Sequence, residues 1–158
     1  MLSRRTFVVR GTGLLLAGAS GRWLSTPVPA FALNPTPITV YKSSTCGCCA
    51  KWVDHLRENG FAPRVRDEEG MDQIKDELGV PHPLRSCHTA IVDKYLIEGH
   101  VPAADIRRLL AERPKVAGLA APGMPTQSPG MAEPGAKPEG YDVLAFQPDG
   151  TTRTFTRY

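Results

Sequence analysis

An α/β fold is what the sequence predicts, and three observations predict it. Runs of β-branched and aromatic residues recur at strand length, helical apolar stripes separate them, and the alternation leads to two closely spaced strands and a closing helix. Pro37 to Lys42 (PITVYK) opens the series, with β-branched and aromatic residues after a proline-punctuated start. From Cys48 to Asn59, the residues Cys49, Trp52, Val53 and Leu56 share one helical stripe. Lys51, Asp54, His55, Arg57 and Glu58 take the solvated side. Asn59-Gly60 offers the left-handed position that ends a helix, and Ser43-Ser44-Thr45 supplies hydroxyl caps for its start.

Phe61 to Arg66 reads as a second strand, with Pro63 favouring an edge. Met71 to Leu78 is a short acidic helix closed by Gly79, in which Met71 is expected to be a core residue. Pro81 and Pro83 forbid regular helix across residues 80–84. Thr89 to Asp93 and Tyr95 to Glu98 then form a tight strand pair. Pro102 suits the first turn of a helix with apolar positions Ile106, Leu109 and Leu110, and Pro114 marks its end. With a right-handed crossover for the first strand-helix-strand unit, this is the thioredoxin-like order, a three-layer fold over residues 33–113.

Two segments follow. Residues 114–140 contain eleven prolines and glycines among 27 positions, so a surface-hugging loop without regular structure is expected. Residues 141–158 flank Pro148-Asp149-Gly150 with strand-like runs and predict a C-terminal β-hairpin.

The first 32 residues read as an address. Ser3-Arg4-Arg5-Thr6-Phe7-Val8 matches a twin-arginine export signal, a short apolar stretch follows, and Ala30-Phe31-Ala32 has the small-x-small pattern of a cleavage site. A periplasmic location is therefore expected, with no stable membrane span after cleavage. Four of the 19 basic residues lie in this segment, which has no acid, leaving 15 basic against 16 acidic residues. No basic stripe remains to suggest a nucleic-acid partner.

In an oxidising compartment four cysteines ordinarily mean two structural disulfides. The spacing here argues otherwise. Thr45-Cys46-Gly47-Cys48-Cys49 crowds three of the four cysteines at a helix start. Cys46 and Cys49 alone have the C-x-x-C spacing of a thiol-disulfide oxidoreductase, since a helix N-terminus stabilises thiolate. Cys48 would leave a thiol beside any such pair, able to scramble it. A soft metal removes the difficulty, because thiolates bind Cu(I) and zinc strongly. Neighbouring residues on a helix diverge by roughly 100°, so Cys48 and Cys49 converge poorly on one zinc ion and more readily bridge several Cu(I) ions. Cys87, just ahead of the third strand, faces the same helix start in a thioredoxin-like layout and is the expected fourth thiolate.

Met124 and Met131 sit in glycine-flanked, proline-rich surroundings with few large apolar neighbours. That composition fits thioether ligands better than the usual role of methionine as core filler. The histidines carry less. His55 and His82 read as structural or exposed, and His100 lies in a turn. His88 is expected to point away from Cys87 along an extended segment, serving at most as a support behind the ligands or an occasional ligand itself.

Four stretches, TCGCCAKW, RSCHTAIV, YLIEGHVPAADI and GMPTQSPGM, together resemble CopG-type copper-resistance proteins across residues 37–132. The resemblance implies a thioredoxin-like fold holding a cysteine-bridged multinuclear copper cluster. Cys46, Cys48, Cys49 and Cys87 would be its bridging thiolates, and Met124 and Met131 its outer ligands. An exported Cu(I)-binding protein for copper resistance is the function expected, with copper redox activity and other periplasmic copper-handling proteins as further expectations. A thiol-disulfide oxidoreductase using Cys46 and Cys49 is the alternative, and structural zinc a third.

Overall fold

The computed structural model describes residues 34–158, so the export signal expected over residues 1–32 lies outside the described residues. Seven strands form one sheet, β1 (Thr36–Lys42), β2 (Phe61–Asp67), β3 (His88–Val92), β4 (Tyr95–Gly99), β5 (Gly118–Ala121), β6 (Asp142–Phe146) and β7 (Thr152–Arg157). Their spatial order is β2-β1-β3-β4-β5-β6-β7. Among the described residues three helices accompany it: α1 (Gly47–Glu58), α2 (Met71–Glu77) and α3 (Ala103–Glu112). A 3-10 turn, His82–Leu84, occupies the stretch where two prolines forbid a regular helix.

β1 and β2 run parallel from Thr36↔Phe61 to Lys42↔Asp67, with α1 as the crossover between them. β3 lies antiparallel to β1, and the β3–β4 hairpin turns tightly at Asp93, whose φ is 52°. Period-two alternation sorts the strand side chains onto two faces. One face carries Ile38, Val40, Ala90, Val92, Tyr95, Ile97, Leu119, Val143 and Ala145, which pack with Trp52, Val53 and Leu56 of α1 and Ile106 and Leu109 of α3 as the main core. The other face receives a smaller cluster of Leu84, Ala120 and Phe146, and Lys75 reaches it from α2. The result is the three-layer α/β arrangement that the sequence predicts.

Residues 114–140, expected to lack regular structure, instead contribute β5. Gly118-Leu119-Ala120-Ala121 is buried throughout and pairs parallel with β4 and antiparallel with β6. Small residues suit a strand enclosed on both faces, and so short a run carries no alternation to announce it. Through β5 the C-terminal hairpin becomes part of the main sheet. It is also fastened to α3: the buried Asp105 carboxylate accepts hydrogen bonds from the Tyr158 hydroxyl at 2.8 Å and from the Thr156 hydroxyl. Arg108 lies 3.8 Å from the Phe155 ring centroid and donates to the Phe155 carbonyl. Among the described residues, no helix is long and apolar enough to cross a membrane.

Candidate metal centre

The β1–α1 turn delivers three cysteines to one point. The expected hydroxyl caps do not cap α1. Cys46 takes that position, its Sγ accepting the Cys49 N–H at 3.3 Å, while the Ser43 and Thr45 hydroxyls bond to each other in the preceding turn. A sulfur at the N-cap sits where the unpaired amides and the positive end of the helix dipole favour negative charge. Cys46 and Cys49 are joined as a disulfide, and Cys48 and Cys87 are free. Cys48 Sγ lies 3.6 Å from Cys46 Sγ.

Cys87 comes from a distant part of the chain, between the 3-10 turn and β3. It completes a group in which the sulfurs of Cys46, Cys48, Cys49 and Cys87 all lie within 4.8 Å of one another. All four expected thiolates are thus brought together. Cys49 is buried and the other three are half-buried, so the cluster keeps partial access to solvent. With the Cys46–Cys49 bridge closed, the Cys87 thiol is pushed up to about 11, by burial first and by the neighbouring Cys48 second.

Two histidines join the cysteines: His88, expected as an occasional ligand, and His100, which the sequence places only in a turn. His100 is fully buried, and its Nε2 lies 3.1 Å from Cys87 Sγ. Its Nδ1 lies 2.8 Å from the Pro129 carbonyl, which can only accept, so Nδ1 carries the proton and Nε2 turns a lone pair toward the cysteines. Burial pushes its pKa below the ordinary histidine value, and the Pro129 bond opposes this in part. His88 does not point away as expected. Its Nδ1 is 3.5 Å from Cys87 Sγ, its ring lies 4.3 Å from that of Trp52 and 4.9 Å from that of His100, and its Nε2 is buried without a partner. Burial above all holds it neutral, and His100 and Lys75 push the same way. Cys87, His88 and His100 form a second set whose donor atoms lie within 4.8 Å of one another, sharing Cys87 with the first.

A signal for His100 was present in the sequence. The tight β3–β4 hairpin pairs Val92 with Tyr95 and Thr89 with Glu98, and the same register carried two residues further sets position 87 opposite position 100.

The methionine loop returns to the cluster by its backbone. Gly130 packs so closely on α1 that a Cβ there would sit 2.8 Å from both the Cys48 carbonyl oxygen and the Trp52 nitrogen. Met131, next in the chain, is half-buried and donates its N–H to the Ser128 carbonyl. Met124 differs. It holds a left-handed φ of 50° after Gly123 and is 45 % exposed, so this fold does not enclose its thioether. His55, assigned to the solvated side, is half-buried and accepts the Ala103 N–H at its Nε2, capping α3. His82 is exposed, as expected.

A family model described as "Protein of unknown function, DUF411" matches residues 84–131, the stretch from just before Cys87 to Met131. Two solved structures, "Copper resistance protein copG- Form 1" and "Copper resistance protein copG- Form 2", are each 42 % identical to this chain with a TM-score of 0.72. The similarity covers 79 % of this chain in both cases, and 98 % and 99 % of the respective relatives. No curated protein sequence matches the chain.

Proposed function

This chain belongs to the CopG copper-resistance protein family, and on that premise we propose that it holds Cu(I) in a multinuclear cluster bridged by Cys46, Cys48, Cys49 and Cys87. One observation carries the reading: four sulfurs from two separated stretches of chain converge within 4.8 Å. The donors are soft, as Cu(I) prefers, and bridging lets the adjacent Cys48 and Cys49 serve different ions. The His100 imidazole, with its tautomer set by Pro129, is a ready nitrogen donor beside Cys87. Met131 follows the glycine that packs on Cys48 and is the better placed of the two methionines to act as an outer ligand. Met124, exposed on its turn, is the more peripheral candidate.

Loading four thiolates requires the Cys46–Cys49 disulfide to open. Two electrons and two protons from a thiol reductant convert it to two thiols, which then lose protons as metal binds. Copper occupancy and thiol redox state are thereby linked. The same bridge, at C-x-x-C spacing on a helix start, favours a second reading as a thiol-disulfide oxidoreductase using Cys46 and Cys49. The twin-arginine stretch at Arg4-Arg5 supports export to the periplasm, and changing both arginines to lysine is expected to retain the protein in the cytoplasm.

Anaerobic titration of the reduced, metal-free protein with Cu(I) against a chromophoric chelator separates the two readings. More than one ion per chain, with fewer retained by Cys48→Ser, is the result expected. Binding of a single ion, or a Cys48→Ser variant that binds as the parent does, would overturn the cluster. Reduction of a test disulfide by metal-free protein, dependent on Cys46 and Cys49 alone, would favour the oxidoreductase.

A further inference from the structure

We propose that the buried Lys75–Glu98 pair is a positioning device that aims Cys87 at the other three cysteines, an inference that rests on the copper-cluster reading. Cys87 lies in the link between the 3-10 turn and β3, where no strand ladder holds its predecessor. The Glu98 carboxylate supplies that hold from β4. Its Oε1 accepts the Ser86 N–H at 2.6 Å and the Lys75 ammonium at 2.6 Å, and its Oε2 accepts the Thr89 hydroxyl at 2.6 Å. Lys75 also donates to Thr89 Oγ1 at 2.8 Å. One carboxylate therefore grips the chain on both sides of Cys87-His88.

Two further observations favour positioning over simple stability. The Lys75 and Glu98 side chains are 3 % and 0 % exposed, and exchanging such a pair for apolar residues is often neutral or stabilising. Stability alone is thus a weak reason to build one. In addition, the neighbouring Gly99 leaves room for Ser86. A Cβ at Gly99, whose φ is 71°, would lie 2.7 Å from Ser86 Oγ and 2.8 Å from the Ala121 carbonyl oxygen. Ser86 is drawn against β4 at the height where Cys87 Sγ meets His100 Nε2.

The device acts from behind the sheet. Thr89 and Glu98 form a cross-strand pair on the face reached by Lys75 of α2, whereas His88 turns to Trp52 of α1 on the opposite face. Removing the pair deletes no sulfur or imidazole. It frees the backbone that aims one of them.

The test uses Lys75→Met/Glu98→Leu, which removes the pair without stranding a charge, and Glu98→Gln, which keeps the side-chain volume. Asp93→Asn, which breaks the surface pair with Arg113, is the control. Circular dichroism and a thermal melt establish folding. Alkylation of reduced, metal-free protein with iodoacetamide, mapped by mass spectrometry, reads Cys87 directly. In the folded pair variants Cys87 is expected to label on the order of tenfold faster through local opening, with Cys48 unchanged. Cu(I) affinity, read by chelator competition, is expected to fall about 10- to 100-fold, as for other losses of ligand-orienting groups. Folded variants with parental Cys87 labelling overturn the proposal. So does failure of both to fold, because the pair would then be supporting the sheet. A parent protein that binds no Cu(I) removes the copper reading, while the labelling comparison still decides the role of the pair.

Discussion

Cys87 Sγ lies 3.1 Å from Nε2 of His100, and His100 gives its Nδ1 proton to the Pro129 carbonyl at 2.8 Å. A single hydrogen-bonded chain therefore joins the fourth cysteine to the loop that bears Met131. Replacing His100 with leucine breaks that chain at its centre. Cu(I) affinity is expected to drop about 10- to 100-fold, the usual cost of losing a group that ligates a metal or orients a ligand. Chelator competition under anaerobic conditions measures it, and parental affinity in a folded variant would reduce His100 to a packing role.

Gly130→Ala tests the other end of the chain. The added methyl would meet the Cys48 carbonyl and the Trp52 nitrogen at 2.8 Å, on a backbone whose φ of 86° disfavours any side chain. The loop must lift, at a cost of about 1–3 kcal/mol for the strained backbone. Urea unfolding gives the stability change. Loss of protection of the His100 Nδ1 proton in an NMR spectrum would show that the Pro129 contact has gone.

Asp105→Ala addresses the C-terminal hairpin. The substitution strands the hydroxyls of Tyr158 and Thr156, which the carboxylate now accepts. A loss of about 1 kcal/mol is expected, since both hydroxyls are half-buried and Thr156 keeps its bond from Arg108. Asp105→Asn, whose amide oxygen still accepts, should lose less. Copper stoichiometry should be unchanged in both, because Asp105 bonds to the hairpin and to none of the cysteines.

His55 predicts a pH dependence. Its Nε2 accepts the Ala103 N–H, which only the neutral ring can do. Its pKa is lowered from 6.5, by burial first; Arg107 adds to the lowering and Glu58 opposes it. The folded protein thus binds this proton less readily than the unfolded chain. Stability from this group is full above the unfolded value of 6.5 and declines as pH falls below it toward the depressed folded pKa. Thermal melts of metal-free protein should lose more between pH 7 and acid in the parent than in His55→Gln. Parallel curves would show that His55 does not set this slope.

Much of the fold was legible because its elements carry strong local signals. Cys49, Trp52, Val53 and Leu56 keep helical spacing and are all buried in α1. The β3–β4 hairpin has a two-residue turn, with β-branched Ile91 and Val92 before it and Tyr95 and Leu96 after it. β5 is not legible in the sequence because Gly118-Leu119-Ala120-Ala121 has neither β-branched residues nor alternation, and its strand character comes from its neighbours. The cap of α1 is hidden for a similar reason. Three hydroxyl residues precede Cys46, and only the path of the turn decides which side chain reaches the Cys49 amide.

The sequence by itself determined the soft donor set and its location, since three cysteines at a strand-to-helix turn must share one helix end whatever else the chain does. The tertiary structure decided which distant groups meet them. Cys87 and His100 face one another through the register of β3 on β4, Pro129 reaches His100 because Gly130 permits contact with α1, and Glu98 grips Ser86 from across the sheet. These are choices of register, close approach and burial. The hairpin register is readable from local spacing, but the Pro129 and Glu98 contacts depend on residues far apart in the chain, and no local spacing records them.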